Sequence, residues 1–97
     1  MTDITERTFR FSLDILKLFR NINRDYSADK NILSKQLLRS GTSIGANVEE
    51  AQSGQSRADF ISKMSIALKE ARETHYWLRL LAAAELVKAE DIADLIR

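Results

Sequence analysis

No proline interrupts this chain, and only three of its 97 residues are glycine. Proline breaks helices and glycine commonly ends them, so a chain nearly free of both has few places to turn. It is committed to long helices joined by short polar breaks. Three breaks are legible. Asn23 to Asn31 is rich in Asn, Asp and Ser, whose side chains bond local backbone in competition with helix. In Ser53-Gly54-Gln55-Ser56, Gly54 suits a helix C-cap and Ser56 can cap the following helix, with Asp59 in its first turn. Leu86-Val87-Lys88 turns the chain a third time.

Between the breaks, apolar residues recur at helical spacing. The pattern predicts a first helix over about 5–23, with Ile4, Phe11, Ile15, Leu18, Phe19 and Ile22 on one arc and Phe9, Leu13 and Leu16 on an adjoining one. A second helix is expected over about 32–53, its seam made by Leu33, Leu37, Gly41, Ile44, Val48 and Ala51. A third runs from Ser56 to about Ala84. It carries the seam Phe60, Met64, Ala67, Ala71, Leu78 and Leu81, interrupted by Thr74 and widened by Ile61, Leu68 and His75. A short fourth helix starts near Ala89, with Ile92, Leu95 and Ile96 apolar and Glu90 and Asp91 at its positive end. The expected fold is all-α: an antiparallel up-down-up-down four-helix bundle forming one domain over 1–97.

Two helices have more apolar surface than a bundle edge requires. On the first it is Phe9, Leu13 and Leu16; on the third it is the ridge Ile66, Trp77 and Leu80. Either these faces meet neighbours within the bundle, or they meet another subunit. They are the candidate oligomer interface.

Ser40-Gly41-Thr42-Ser43-Ile44-Gly45-Ala46-Asn47 has poor helix propensity, each glycine costing roughly 0.8–1 kcal/mol relative to alanine. It holds as helix if a neighbour crosses tightly near Gly41 and Gly45. A phosphate loop would need a preceding strand and a terminal Gly-Lys-Ser/Thr, and neither is present.

Fifteen basic and fourteen acidic residues give a net charge of +1, spread evenly, which does not mark a basic nucleic-acid module. The absence of cysteine excludes disulfides, thiolate metal sites and a cysteine nucleophile. No segment is apolar enough to span a bilayer, and Met1-Thr2-Asp3 does not open a signal peptide, so a cytoplasmic location without membrane contact is expected. One histidine leaves no paired Glu-x-x-His motif for a di-metal bundle, and no cofactor is implied. The carboxylates Glu50, Glu70 and Glu73, with Arg39, Ser43 and Asn47, read best as a structural polar network. The alternative is a small-ligand or enzymatic bundle using Arg39, Asn47, Glu70 and Glu73.

Leu37-Leu38-Arg39-Ser40-Gly41-Thr42-Ser43-Ile44-Gly45-Ala46-Asn47-Val48-Glu49-Glu50 resembles the signature of bacterial four-helix bundle proteins related to the 23S rRNA intervening-sequence protein. So does Phe60 to Thr74 followed by Tyr76-Trp77-Leu78, and the similarity runs from Phe9 to Ile92. The family includes the accessory protein of diversity-generating retroelements. The resemblance implies a four-helix bundle, a non-enzymatic role and a homo-oligomer, first of all a pentamer. It also implies RNA or DNA as a weakly bound partner, or a reverse transcriptase or another protein.

Overall fold

The computed structural model describes residues 3–96 as four helices, α1 (Ile4–Ile22), α2 (Ala28–Gln52), α3 (Arg57–Ala83) and α4 (Ala89–Ile96), with no strand among them. Short breaks make successive helices antiparallel, giving an all-α up-down-up-down bundle whose fourth helix is short. At 1.5 Å per residue, the 27 residues of α3 account for most of the 45 Å long axis.

Each helix start has a local cause. The Asp3 carboxylate accepts the Glu6 amide (2.8 Å) and the Thr5 hydroxyl (2.6 Å), capping α1. The Ser56 hydroxyl accepts the Asp59 amide at 3.1 Å, capping α3. Helix α2 begins at Ala28, four residues before the expected Ile32. The Asn31 amide already reaches the Ser27 carbonyl, and the polar residues that suggested a loop bond one another instead. The Asn23 amide group donates to Ser34 Oγ (2.9 Å) and to the Phe19 carbonyl, while Asn31 donates to Asn23 Oδ1 (3.2 Å).

The helix ends differ from expectation. Helix α2 is capped by Ser53, and Gly54 keeps an ordinary negative φ. Among the described residues the one in the left-handed region is Glu85 (φ 60°), after the end of α3. There the Leu86 amide reaches the Leu81 carbonyl and the Glu85 amide reaches the Ala82 carbonyl, both at 3.0 Å. This is a Schellman closure without its usual glycine.

Helix α2 is the centre of the bundle. Both α1 and α3 pack along it, and they have little direct contact with each other. The core is Ile15, Leu18, Ile22, Leu37, Leu78, Leu81 and Ile92, all at the end of the bundle where α4 folds back. At the other end the buried apolar side chains among the described residues are Val48, Ala51 and Ala67, while Phe60, Ile61 and Leu68 are exposed. Phe60, 41% exposed, thus leaves the seam expected of it. Of the three apolar positions expected in α4, Ile92 is buried and Leu95 half-buried, and the side chain of Ile96 lies outside the described residues.

Candidate functional site

The Ser40–Asn47 block is helical throughout, and the way its polar groups are satisfied explains how. Thr42 and Ser43 donate to the carbonyls four residues back at 2.7 Å, and the Asn47 amide group donates to the Ser43 carbonyl at 2.8 Å. Returned to their own helix, these groups can lie at a packed surface without a partner on another element. Ser40 is fully buried and accepts the Thr74 hydroxyl at 2.9 Å, a polar tie between α2 and α3. Thr74, which breaks the apolar seam of α3, thus has a reason to be there.

The glycines set the α1–α2 distance. A Cβ on Gly41 would stand 2.9 Å from two carbons of Ile15, and one on Gly45 would stand 3.1 Å from the Thr8 carbonyl oxygen. Real Cβ atoms essentially never come as close as 2.9 Å, and 3.1 Å is tighter than most of their contacts, so the crossing needs a glycine at 41 and disfavours a side chain at 45.

On the other side of α2, Arg39 bridges two carboxylates one turn apart on α3. Its Nη1 lies 3.2 Å from Glu70 Oε2, and its Nη2 pairs with Glu73 Oε2. The same Glu73 oxygen accepts the Trp77 indole N–H at 3.0 Å, and Gln36 accepts from Arg39 Nε at 3.2 Å. Tyr76 packs edge-on against Trp77, with ring centroids 5.0 Å apart. Arg39, Glu70 and Glu73 therefore come together, and Trp77 and Gln36 join them. Gln36, three residues before Arg39, was recognisable only by its helical spacing. Ser43, Asn47 and Glu50 do not join: the first two bond α2 backbone and Glu50 is exposed. Short side chains on α2 are satisfied locally before they can span to α3. Among the described residues no cluster of His, Asp or Glu could hold a metal ion, and no helix is long and apolar enough to cross a membrane.

The two apolar ridges lie on the outer faces of the helices that flank α2. On α1, Phe9 is 56% and Leu13 43% exposed, with Leu16 half-buried. On α3, Ile66 is 38% and Tyr76 50% exposed, with Trp77 and Leu80 half-buried. Beside Phe9, a shallow trough is floored by Ser12, Thr42, Gly45 and Ala46 and edged by Glu49 and Glu50. A separate cleft of about 420 Å³ opens between α1 and α3. Ile4, Phe11, Ile44, Ala71, Leu78 and Leu95 line it, with Arg7 and His75 also on its walls.

A family model described as 23S rRNA-intervening sequence protein matches residues 2–97. Among solved structures, the chain is similar to a protein of unknown function from the S23 ribosomal protein family of Bacteroides thetaiotaomicron. The two are 44% identical with a TM-score of 0.88, over 95% of this chain and 80% of that one. None of the curated proteins matches.

Proposed function

The chain belongs to the 23S rRNA-intervening sequence protein family, and on that premise we propose that it is a non-enzymatic assembly protein. It forms a closed homo-oligomer, first of all a pentamer, that serves as an accessory to nucleic acid or to an enzyme acting on it. One observation carries this reading. Two apolar ridges, Phe9–Leu13–Leu16 on α1 and Ile66–Trp77–Leu80 on α3, are partly solvent-accessible on different sides of one small bundle. A monomer seldom leaves such surfaces in water, and two unlike patches on different sides favour a head-to-tail contact, which closes into a ring when the rotation between subunits divides a full turn. A ring repeats each subunit's cations about one axis. A chain of net charge +1 can in this way present a basic band that its own composition hides.

A ligand-binding or enzymatic bundle built on Arg39, Asn47, Glu70 and Glu73 is less well supported. The two carboxylates are already ion-paired, Asn47 is bonded to its own helix, and the clefts described above are lined by other residues.

The test of the nucleic-acid half is binding of structured RNA and of duplex DNA across a salt series. The proposal expects measurable affinity at ~50 mM salt, falling steeply as salt rises because phosphate contacts release counterions. No binding of either at ~50 mM salt removes that half and leaves the assembly standing.

A further inference from the structure

The trough between α1 and α2 carries charge that its own bundle does not balance. Glu49 and Glu50 edge it on α2, and past Phe9 and Glu49 it continues to Glu6 on α1. Glu49 is exposed and makes no ion pair among the described residues. The segment from Ser40 to Ser56 contains no Lys, Arg or His. Glu49 also lies in the last turn of α2, at the negative end of the helix dipole, where a carboxylate is disfavoured. Across the trough, Glu6 is held by an exposed pair with Arg10, a contact of small worth. Between these rims the floor offers carbon. The Ser12 and Thr42 hydroxyls donate to the Thr8 and Leu38 carbonyls of their own helices, and Gly45 and Ala46 have no polar side chain. Phe9, 56% exposed, stands beside it.

The α3 ridge has the opposite character around Ile66, which is 38% exposed. Lys63 lies three residues before it and Lys69 three residues after, about 60° to either side on the helix surface. Neither lysine makes an ion pair among the described residues. The carboxylates that follow on this ridge, Glu70 and Glu73, are both held by Arg39. Asp59, on the same side, lies two turns before Ile66, about 10 Å along the axis. An apolar side chain with a cation on each flank is the complement of an apolar trough with a carboxylate on each rim.

We propose that Ile66 of one copy seats in the α1–α2 trough beside Phe9 of the next, with Lys63 and Lys69 against Glu49 and Glu6 on its two rims. This rests on the assembly proposed above and gives that assembly a register. Charge complementarity selects a second copy as the occupant, since this chain carries both the acidic trough and its cationic counterpart on different helices. The contact is head to tail, so every copy uses both surfaces. It gives Glu49 a reason to stand at the wrong end of the α2 dipole, because the carboxylate is neutralised on assembly. It also gives the Ser40–Asn47 block a second use: Thr42, Gly45 and Ala46, beside the close crossing of α1, form the floor on which Ile66 rests.

The experiment is charge exchange in the whole chain, read by sedimentation velocity over a concentration series with circular dichroism as the check of folding. Glu6→Lys with Glu49→Lys, both at exposed positions, should weaken self-association about tenfold or more, and so should Lys63→Glu with Lys69→Glu. Glu49→Lys alone, which suits the end of α2 better than the native residue, should weaken it in the same direction. The four substitutions together exchange the charges of trough and ridge, and they should restore the native mass. Asp14→Lys with Asp25→Lys makes the same change of net charge at exposed positions away from the trough and should leave the mass unchanged. Native mass in Glu6→Lys with Glu49→Lys overturns this contact and leaves the assembly standing. A folded quadruple variant that stays dissociated overturns it as well. A native chain that is itself a monomer overturns the assembly, and this contact with it.

Discussion

A Cβ placed on Gly41 would lie 2.9 Å from both Cγ1 and Cγ2 of Ile15, a fully buried, β-branched side chain with no freedom to move aside. This contact sets how closely α1 approaches α2, and it gives the glycine a cost of replacement. Gly41→Leu and Gly45→Leu should each destabilise by roughly 1–3 kcal/mol in urea unfolding, although leucine is the better helix former. Gly41→Ala should be partly rescued by Ile15→Val, since the two residues touch. Neutral or stabilising results at both glycines would contradict the close crossing.

Arg39 stabilises α2 on α3 through Glu70 and Glu73, but its side chain is 48% exposed, so the ion pairs are screened. Arg39→Gln is therefore expected to cost about 1 kcal/mol, well below the cost of a core truncation. The more sensitive readout is fluorescence of the chain's single tryptophan, whose indole N–H donates to Glu73. Glu73→Leu should shift Trp77 emission, and Glu50→Leu should leave it unchanged.

Glu85 occupies a left-handed conformation that L side chains adopt at a cost. Glu85→Gly should raise stability by roughly 0.5–1 kcal/mol, the strain relieved exceeding the entropy glycine adds to the unfolded chain. Thermal unfolding checks the sign, and a lower midpoint would contradict the geometry at the α3–α4 turn.

Two exposed carboxylates make stability depend on acid. The Thr5 hydroxyl and then the Glu6 amide hold Asp3 below the usual carboxylate value, and the Ser27 hydroxyl and then the Lys30 amide do the same for Asp29. A carboxyl with a lowered folded pKa stabilises fully above its unfolded value and loses that contribution as pH falls through the folded one. The stability difference between the native chain and a double variant, Asp3→Asn with Asp29→Asn, should be constant from about pH 5 to 7 and shrink below about pH 4. A difference unchanged to about pH 2 would contradict the hydrogen bonding at these two sites.

The helices were legible because their signals are local. Four-three apolar spacing placed α1 and α3 within a residue or two, and Ser56 with Asp59 marked the start of α3. The early start of α2 was not legible, because Asn23 and Asn31 read as loop residues until their side chains are seen bonding each other and Ser34. Nor was Glu85, since glutamate carries no signal for a left-handed turn. In the polar set, Arg39, Glu70 and Glu73 could be grouped from spacing and charge. Ser43 and Asn47 could not be separated from them, since a short polar side chain on a helix bonds its own backbone or a neighbour according to distances the sequence does not contain. Thr74 looked like a flaw in an apolar seam, and its partner Ser40 is 34 residues away.

The central claim is that the apolar ridges on α1 and α3 meet between copies of this chain, and mass in solution tests it most directly. Sedimentation velocity, with light scattering as a second measure, should give a single species of five chains of 11.1 kDa, about 55 kDa. Leu13→Glu and Ile66→Glu, both at exposed positions, should each return the chain to 11.1 kDa with its helicity intact. A native chain that stays at 11.1 kDa into the high micromolar range would contradict the account.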